Sequence, residues 1–202
     1  MTFSQRDIDF FMSMLHVDST SGSEQELALW LYSRLKELLP CNAELLDVGD
    51  GTQNLRVGFG NPRVMMCSHL DTVPPYIAPH YDDTAVYGRG TCDAKGQVFA
   101  MIMAAKDLVS QGVTDFGLLF LAGEETGSFG ARWYDANCPG CDAVIVGEPT
   151  GNSMVKASKG TRLFNISIFG KACHSGYPEW GDNAIDKFSI FYRFCVDRST
   201  PE

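Results

Sequence analysis

Positive charge is what this chain has least of. It carries 16 Lys and Arg against 25 Asp and Glu, a formal net charge of −9. Nucleic acids and anionic membranes are bound through basic patches that displace counterions, so no partner of either kind is expected. Long apolar runs are also missing. No stretch approaches the roughly 20 apolar residues of a membrane span. The first residues, Met1 to Asp7, lack the charged-then-apolar plan of a signal peptide. Cysteine pairing is absent too: the 7 cysteines are an odd number, at positions 41, 67, 92, 138, 141, 173 and 195. They read as reduced thiols of a cytoplasmic protein rather than a disulfide framework. The lone C-x-x-C, Cys138-Pro139-Gly140-Cys141, has no second pair to complete a zinc knuckle, and its Pro-Gly marks a surface turn. Thiol–disulfide exchange at this pair is a minor alternative.

What is present is an α/β pattern. A length of 202 residues accommodates one domain, or one domain and part of a second. Ser4 with Asp7 reads as a helix start, followed by the stripe Ile8, Phe11, Met12 and Leu15. Ser23 with Glu26 reads as a capping box ahead of Leu27, Trp30, Leu31, Leu35 and Leu38, in a helix that stops before Pro40. Residues 54–59 then alternate as a strand. Three apolar runs, 64–67, 118–121 and 143–146, read as buried strands. Helices are expected from Asp93 to about Ser110 and from near Ser128. Strands alternating with helices predict a mostly parallel mixed sheet flanked by helices. After about Lys156 the texture changes: Leu163–Ile168 alternates as a half-exposed strand, and Asn183–Val196 reads as an amphipathic helix.

Each apolar strand ends in chemistry. The first delivers His69 and Asp71, the second Glu124 and Glu125, the third Glu148, and Asp93 stands at the start of the long helix. In open α/β sheets the ligand site lies at the carboxyl ends of the strands. Any one of these acids alone is ordinarily a helix cap or a solvated loop residue. Several converging on one sheet edge would repel one another unless cations neutralise them. A histidine with several carboxylates suits zinc, with cobalt or manganese as alternatives. His69-x-Asp71 adds a carboxylate able to hold the other ring nitrogen.

The wording around these residues resembles a known family. Ser68-His69-Leu70-Asp71-Thr72-Val73-Pro74-Pro75, Tyr87 to Gly96, Gly123 to Ser128, Gly147 to Thr150 and Lys171 to Gly176 follow, in order, motifs of the zinc-dependent deacylases and exopeptidases. That family includes acetylornithine deacetylase, succinyl-diaminopimelate desuccinylase, aminoacylase and glutamate carboxypeptidase. The resemblance implies a zinc-exopeptidase-like fold with a smaller α+β lid, and two zinc ions. His69 and Glu148 would ligate one metal, Glu125 the second, and Asp93 would bridge them. Asp71 would orient His69. Glu124 would be the general base and later the acid. His174 would reach across a homodimer interface, formed through the lid, to help stabilise the oxyanion.

The same resemblance implies a metal-dependent amidohydrolase of amino-acid biosynthesis. Its substrate would be a small N-acyl amino acid, as for acetylornithine deacetylase or succinyl-diaminopimelate desuccinylase, cleaved by metal-activated water. A dipeptidase or carboxypeptidase acting on short peptides is the alternative. So is an inactive remnant that at most binds metal or dimerises. The family's second metal takes a further histidine from late in a considerably longer chain, and nothing after His174 offers one. His16 and His80 read as surface or loop residues. The chain therefore reads as a fragment: a catalytic domain over 1–155 without its return segment, then the start of a lid and dimerisation domain over 156–202.

Overall fold

The computed structural model describes residues 3–160 and 163–198. The chain divides into two compact units, Met1–Met154 and Val155–Glu202. The first opens with helices α1 (Gln5–His16) and α2 (Gln25–Leu38), then strands β1 (Asn42–Gly49), β2 (Thr52–Phe59) and β3 (Val64–His69). A short hairpin of β4 (His80–Tyr81) and β5 (Val86–Tyr87) precedes α3 (Lys95–Ser110), β6 (Phe116–Leu121), α4 (Phe129–Asn137) and β7 (Ala143–Val146). The second unit contains a short 3-10 turn, Pro178–Trp180, and α5 (Ala184–Val196).

Helix α1 starts as its sequence dictates. The Ser4 hydroxyl accepts the Asp7 N–H, and the Asp7 carboxylate accepts the Ser4 N–H at 2.9 Å. Asp7 also receives Lys106 at 2.8 Å, which ties α1 to α3. The Lys106 and Ser4 hydrogen bonds pull the Asp7 carboxyl down to about 2. Helix α2 departs from expectation. Its cap is Glu24, with no side-chain cap bond, so the Ser23–Glu26 box is not made. The Glu24 carboxylate turns inward instead, fully buried, and accepts the Gly22 N–H.

The central sheet has the order β1-β2-β6-β3-β7. β1 pairs antiparallel with β2, and β2 with β6; β6, β3 and β7 are parallel. β1, β6, β3 and β7 thus run one way and β2 alone opposes them, a mixed α/β sheet. One face packs on the helices through Leu27, Leu31, Leu35, Leu55, Ile102 and Phe120, all fully buried. On the other, Met65, Cys67 and Leu119 form a smaller cluster with Tyr134 of α4 against it.

Two sequence expectations are corrected here, and one strand was not read at all. β1 escapes the alternation reading because Leu45 and Leu46 are adjacent, yet it pairs along most of its length. β7 is not buried. It flanks β3 at the end of the strand order, and Val144, Ile145 and Val146 are 51%, 57% and 63% exposed. Leu163–Ile168 forms no strand: alternation needs a partner ladder, and none pairs with it among the described residues. In the same unit α5 is capped by Asn183, whose side chain accepts the Ile185 N–H at 2.9 Å. None of its side chains is buried. Among the described residues no helix is long and apolar enough to cross a membrane.

Candidate metal centre

β3 ends on His69, which is 2% exposed. Its Nδ1 lies 2.8 Å from the backbone carbonyl of Asp71 and 3.4 Å from the Asp71 carboxylate. A carbonyl only accepts, so Nδ1 carries the proton and Nε2 is left as the ligating atom. Nε2 stands 3.0 Å from Asp93 Oδ1, just ahead of α3. A bare nitrogen lone pair facing a carboxylate oxygen is repulsive unless a proton or a cation lies between them. Burial alone would lower the His69 pKa, but the hydrogen bond and charge of Asp71, with Glu148, more than offset it and push it up to about 9.

β6 brings the third group. After Leu121 the chain turns through Gly123, at φ +65°, where a Cβ would fall 1.7 Å from the Phe129 ring. Only glycine permits this turn. It returns Glu124 and Glu125 beneath Asp71, whose carboxylate accepts both of their backbone N–H groups, at 2.9 and 3.1 Å. Ligand atoms of His69, Asp93 and Glu125 lie within 4.8 Å of one another. Burial, then the charge of Asp93, raises the Glu125 carboxyl. Burial also raises Glu148, with Asp93, Glu124 and Glu125 adding to it against the opposing charge of His69. Glu148 is therefore in the same field, though outside the tightest group. This donor set, an imidazole with its proton on the far nitrogen and several carboxyl groups beside one another, fits a divalent cation.

Asp71 is a hub. It is fully buried and holds His69 through its backbone more closely than through its carboxylate. Burial would raise its pKa, but His69, Ser21 and the Glu124 N–H lower it below the usual carboxylate range. Ser21 donates to its Oδ2 at 2.9 Å. The sequence reading missed Ser21. It also missed Asn54, fully buried, which accepts the Ala122 N–H and donates to the Gly130 carbonyl, both at 2.9 Å, and so sets the exit from β6. A buried asparagine in an apolar alternation was the available signal. Ser68 donates to the Gly147 carbonyl at 3.0 Å, anchoring the segment before Glu148 to β3. A cleft of about 730 Å³ borders Glu148, lined also by Thr91, Cys92, Gln97, Pro149 and Asn152.

His174 lies in the second unit, in an exposed turn where the Gly176 N–H donates to its Nδ1 at 3.0 Å. His16 bonds the Met12 carbonyl within α1, and His80 stacks on Tyr87. Cys138 and Cys141 are free thiols.

The family model described as "Peptidase family M20/M25/M40" matches residues 65–190, more than half of the chain. The chain belongs to this family of metallopeptidases. A peptidase M20 domain-containing protein of Schizosaccharomyces pombe is 36% identical over 200 residues, covering 94% of this chain and 49% of its own length. A "Probable carboxypeptidase" of Aspergillus clavatus is 33% identical over 210 residues, covering 91% and 50%. Among solved structures, a tripeptidase of Staphylococcus aureus superposes with a TM-score of 0.69 at 20% identity, over 96% of this chain and 56% of its own. A dinuclear metal binding peptidase of the M20 family from Bacillus subtilis gives 0.51 at 19%, over 70% and 41%. At such identities the likeness is one of fold. The chain spans about half the length of the curated relatives it matches. These names are those of peptidases, and none supports acetylornithine deacetylase or a place in amino-acid biosynthesis.

Proposed function

We propose that this chain is the metal-binding part of a hydrolase that cleaves the amide bond of short peptides, as a carboxypeptidase or dipeptidase does. The observation that carries this reading is the convergence of His69, Asp93 and Glu125 within 4.8 Å at the carboxyl ends of β3 and β6. The carboxypeptidase and tripeptidase names of its relatives favour peptides over N-acyl amino acids. His69 and Glu148 would hold one divalent cation, Glu125 a second, and Asp93 both, with zinc preferred and cobalt or manganese as alternatives. Bound, such cations polarise a carbonyl and lower the pKa of water toward about 7. Glu124 is the base: it takes a proton from the attacking water and returns it to the leaving amine, so that amide and water become acid and amine. Its backbone is held by Asp71, which leaves the side chain free to move that proton. His174 is assigned to the oxyanion and the second unit to dimerisation.

The test is metal content per chain, measured alongside hydrolysis of a dipeptide and C-terminal peptide panel, with N-acetylornithine and N-succinyl-diaminopimelate included. Turnover of peptides with bound metal supports the proposal. Preference for the acylated amino acids restores deacylation as the reading. Glu124→Ala is expected to abolish turnover with metal retained; loss of the metal instead would refute its role as base.

A further inference from the structure

Lys95 is buried to 1% exposure, and the chemistry above does not use it. An ammonium is costly to bury unless acceptors surround it. Its acceptors are carbonyls at the end of α1: Val17 at 2.5 Å and Met14 at 3.4 Å. The Met14 carbonyl also accepts the Val17 N–H that ends α1, at 3.3 Å, and Val17 is already extended, so Lys95 ties the exit of α1 to the start of α3. No carboxylate lies within ion-pair distance of it among the described residues. Its stem passes Gly90 and Thr72: a Cβ at Gly90, where φ is +85°, would fall 3.1 Å from Lys95 Cγ and Cδ and 3.2 Å from Thr72 Cγ2.

The segment leaving Val17 leads back to the metal centre. The Ser19 hydroxyl donates to the Leu70 carbonyl at 2.8 Å, and the Thr72 N–H donates to the Ser19 carbonyl at 2.9 Å. Ser21 then reaches the Asp71 carboxylate. The contacts close a ring. One arc is the direct approach of His69 to Asp93. The other runs from Asp93 to Lys95, to Val17, along Ser19 and Ser21, to Asp71 and back to His69.

We infer that Lys95 is a positioning residue for the metal centre, tying the loop that carries Asp93 to the segment that braces Asp71 and so setting the spacing between Asp93 and His69. The inference rests on the metal-centre reading above. Outer groups that orient ligands are worth about 10- to 100-fold in metal affinity.

The test is zinc affinity by chelator competition, and the visible spectrum of the cobalt form, on the 202-residue chain and three variants. Lys95→Met keeps the stem and removes charge and donors. It is expected to weaken zinc about 10- to 100-fold and to change the cobalt spectrum. Leu31→Ala, a core change remote from the ring, is expected to lower stability while leaving the affinity and spectrum of the folded chain unchanged. Equal losses of affinity in both variants, or wild-type affinity and spectrum in Lys95→Met, overturn the inference. Gly90→Ala presses on the same stem with its charge retained, and serves if Lys95→Met does not fold; unchanged affinity there also overturns it. A wild-type chain that binds no zinc overturns the metal-centre reading itself, a result distinct from the other outcomes.

Discussion

Helices α2 and α5 are nearly equal in length, 14 and 13 residues, and both carry apolar residues at helical spacing. They end up in opposite conditions. α2 buries Leu27, Ala28, Leu31 and Leu35, whereas in α5 Ile185 and Ile190 stay 75% and 70% exposed. Periodicity selects a face; only a packing partner turns that face into core. The contrast extends to chemistry. In the first unit, burial raises Glu125 and Glu148, while hydrogen bonds and neighbouring charge outweigh burial to raise His69 and lower Asp71. His174, in the second, occupies an exposed turn.

The sharpest way to break this comparison is to remove one histidine from each unit. His69→Ala is expected to lose about one equivalent of bound zinc, read by metal analysis after dialysis against the wild-type chain, while His174→Ala keeps the wild-type content. The wild-type content retained by His69→Ala would end the assignment of the metal centre to the first unit. The next effect is on stability. Leu31→Ala leaves a cavity in the core and should cost about 2–5 kcal/mol in urea unfolding. Ile190→Ala should fall within about 0.5 kcal/mol. A large loss at Ile190 would mean that α5 is covered in solution.

The third effect is on pH. With His69 raised from 6.5 to about 9 in the metal-free chain, a metal must displace its proton below that value. Zinc affinity should therefore climb about tenfold per unit between pH 7 and 9 and level off above. The stability of the metal-free chain should move the other way. A raised folded pKa contributes stability that is fully present below 6.5 and is lost as pH rises through about 9. A flat affinity profile would show that His69 does not exchange its proton for metal. The smallest effect concerns the caps. Ser4→Ala should cost about 1 kcal/mol, because α1 is docked on α3. Asn183→Ala should mainly fray α5, seen as lost helicity by circular dichroism with the main unfolding transition unmoved.

Much of the candidate site was legible in the sequence. His69, Glu124, Glu125 and Glu148 could be placed at one sheet edge because apolar strand runs announce their own carboxyl ends. Asp93 was placed by the start of the long helix, and the choice among them as ligands came from the family resemblance. The helices were readable from their periodicity, and α1 also from its Ser4–Asp7 cap, whereas α2 starts from its Glu24 cap without the Ser23–Glu26 box. Other features were not. Ser21 reaches Asp71 over 50 positions, Asn54 holds Ala122 over 68, and Lys95 meets Val17 over 78. Nothing local in a serine, an asparagine or a lysine names so distant a partner. The exposure of β7, and the absence of a ladder at Leu163–Ile168, likewise depend on which strands lie alongside.

Sequence alone thus determined the helices and the apolar strands of the first unit, the direction of the chain into the site and the kinds of ligand available there, because backbone sterics, periodicity and side-chain chemistry are local. Tertiary structure decided which groups share buried space: that Nδ1–H of His69 donates a hydrogen bond to the Asp71 backbone carbonyl, that Asp71 gathers two loops, and that a lysine fully out of water closes the ring behind them. Burial and hydrogen-bond satisfaction belong to the folded chain as a whole, and no stretch of sequence carries them by itself.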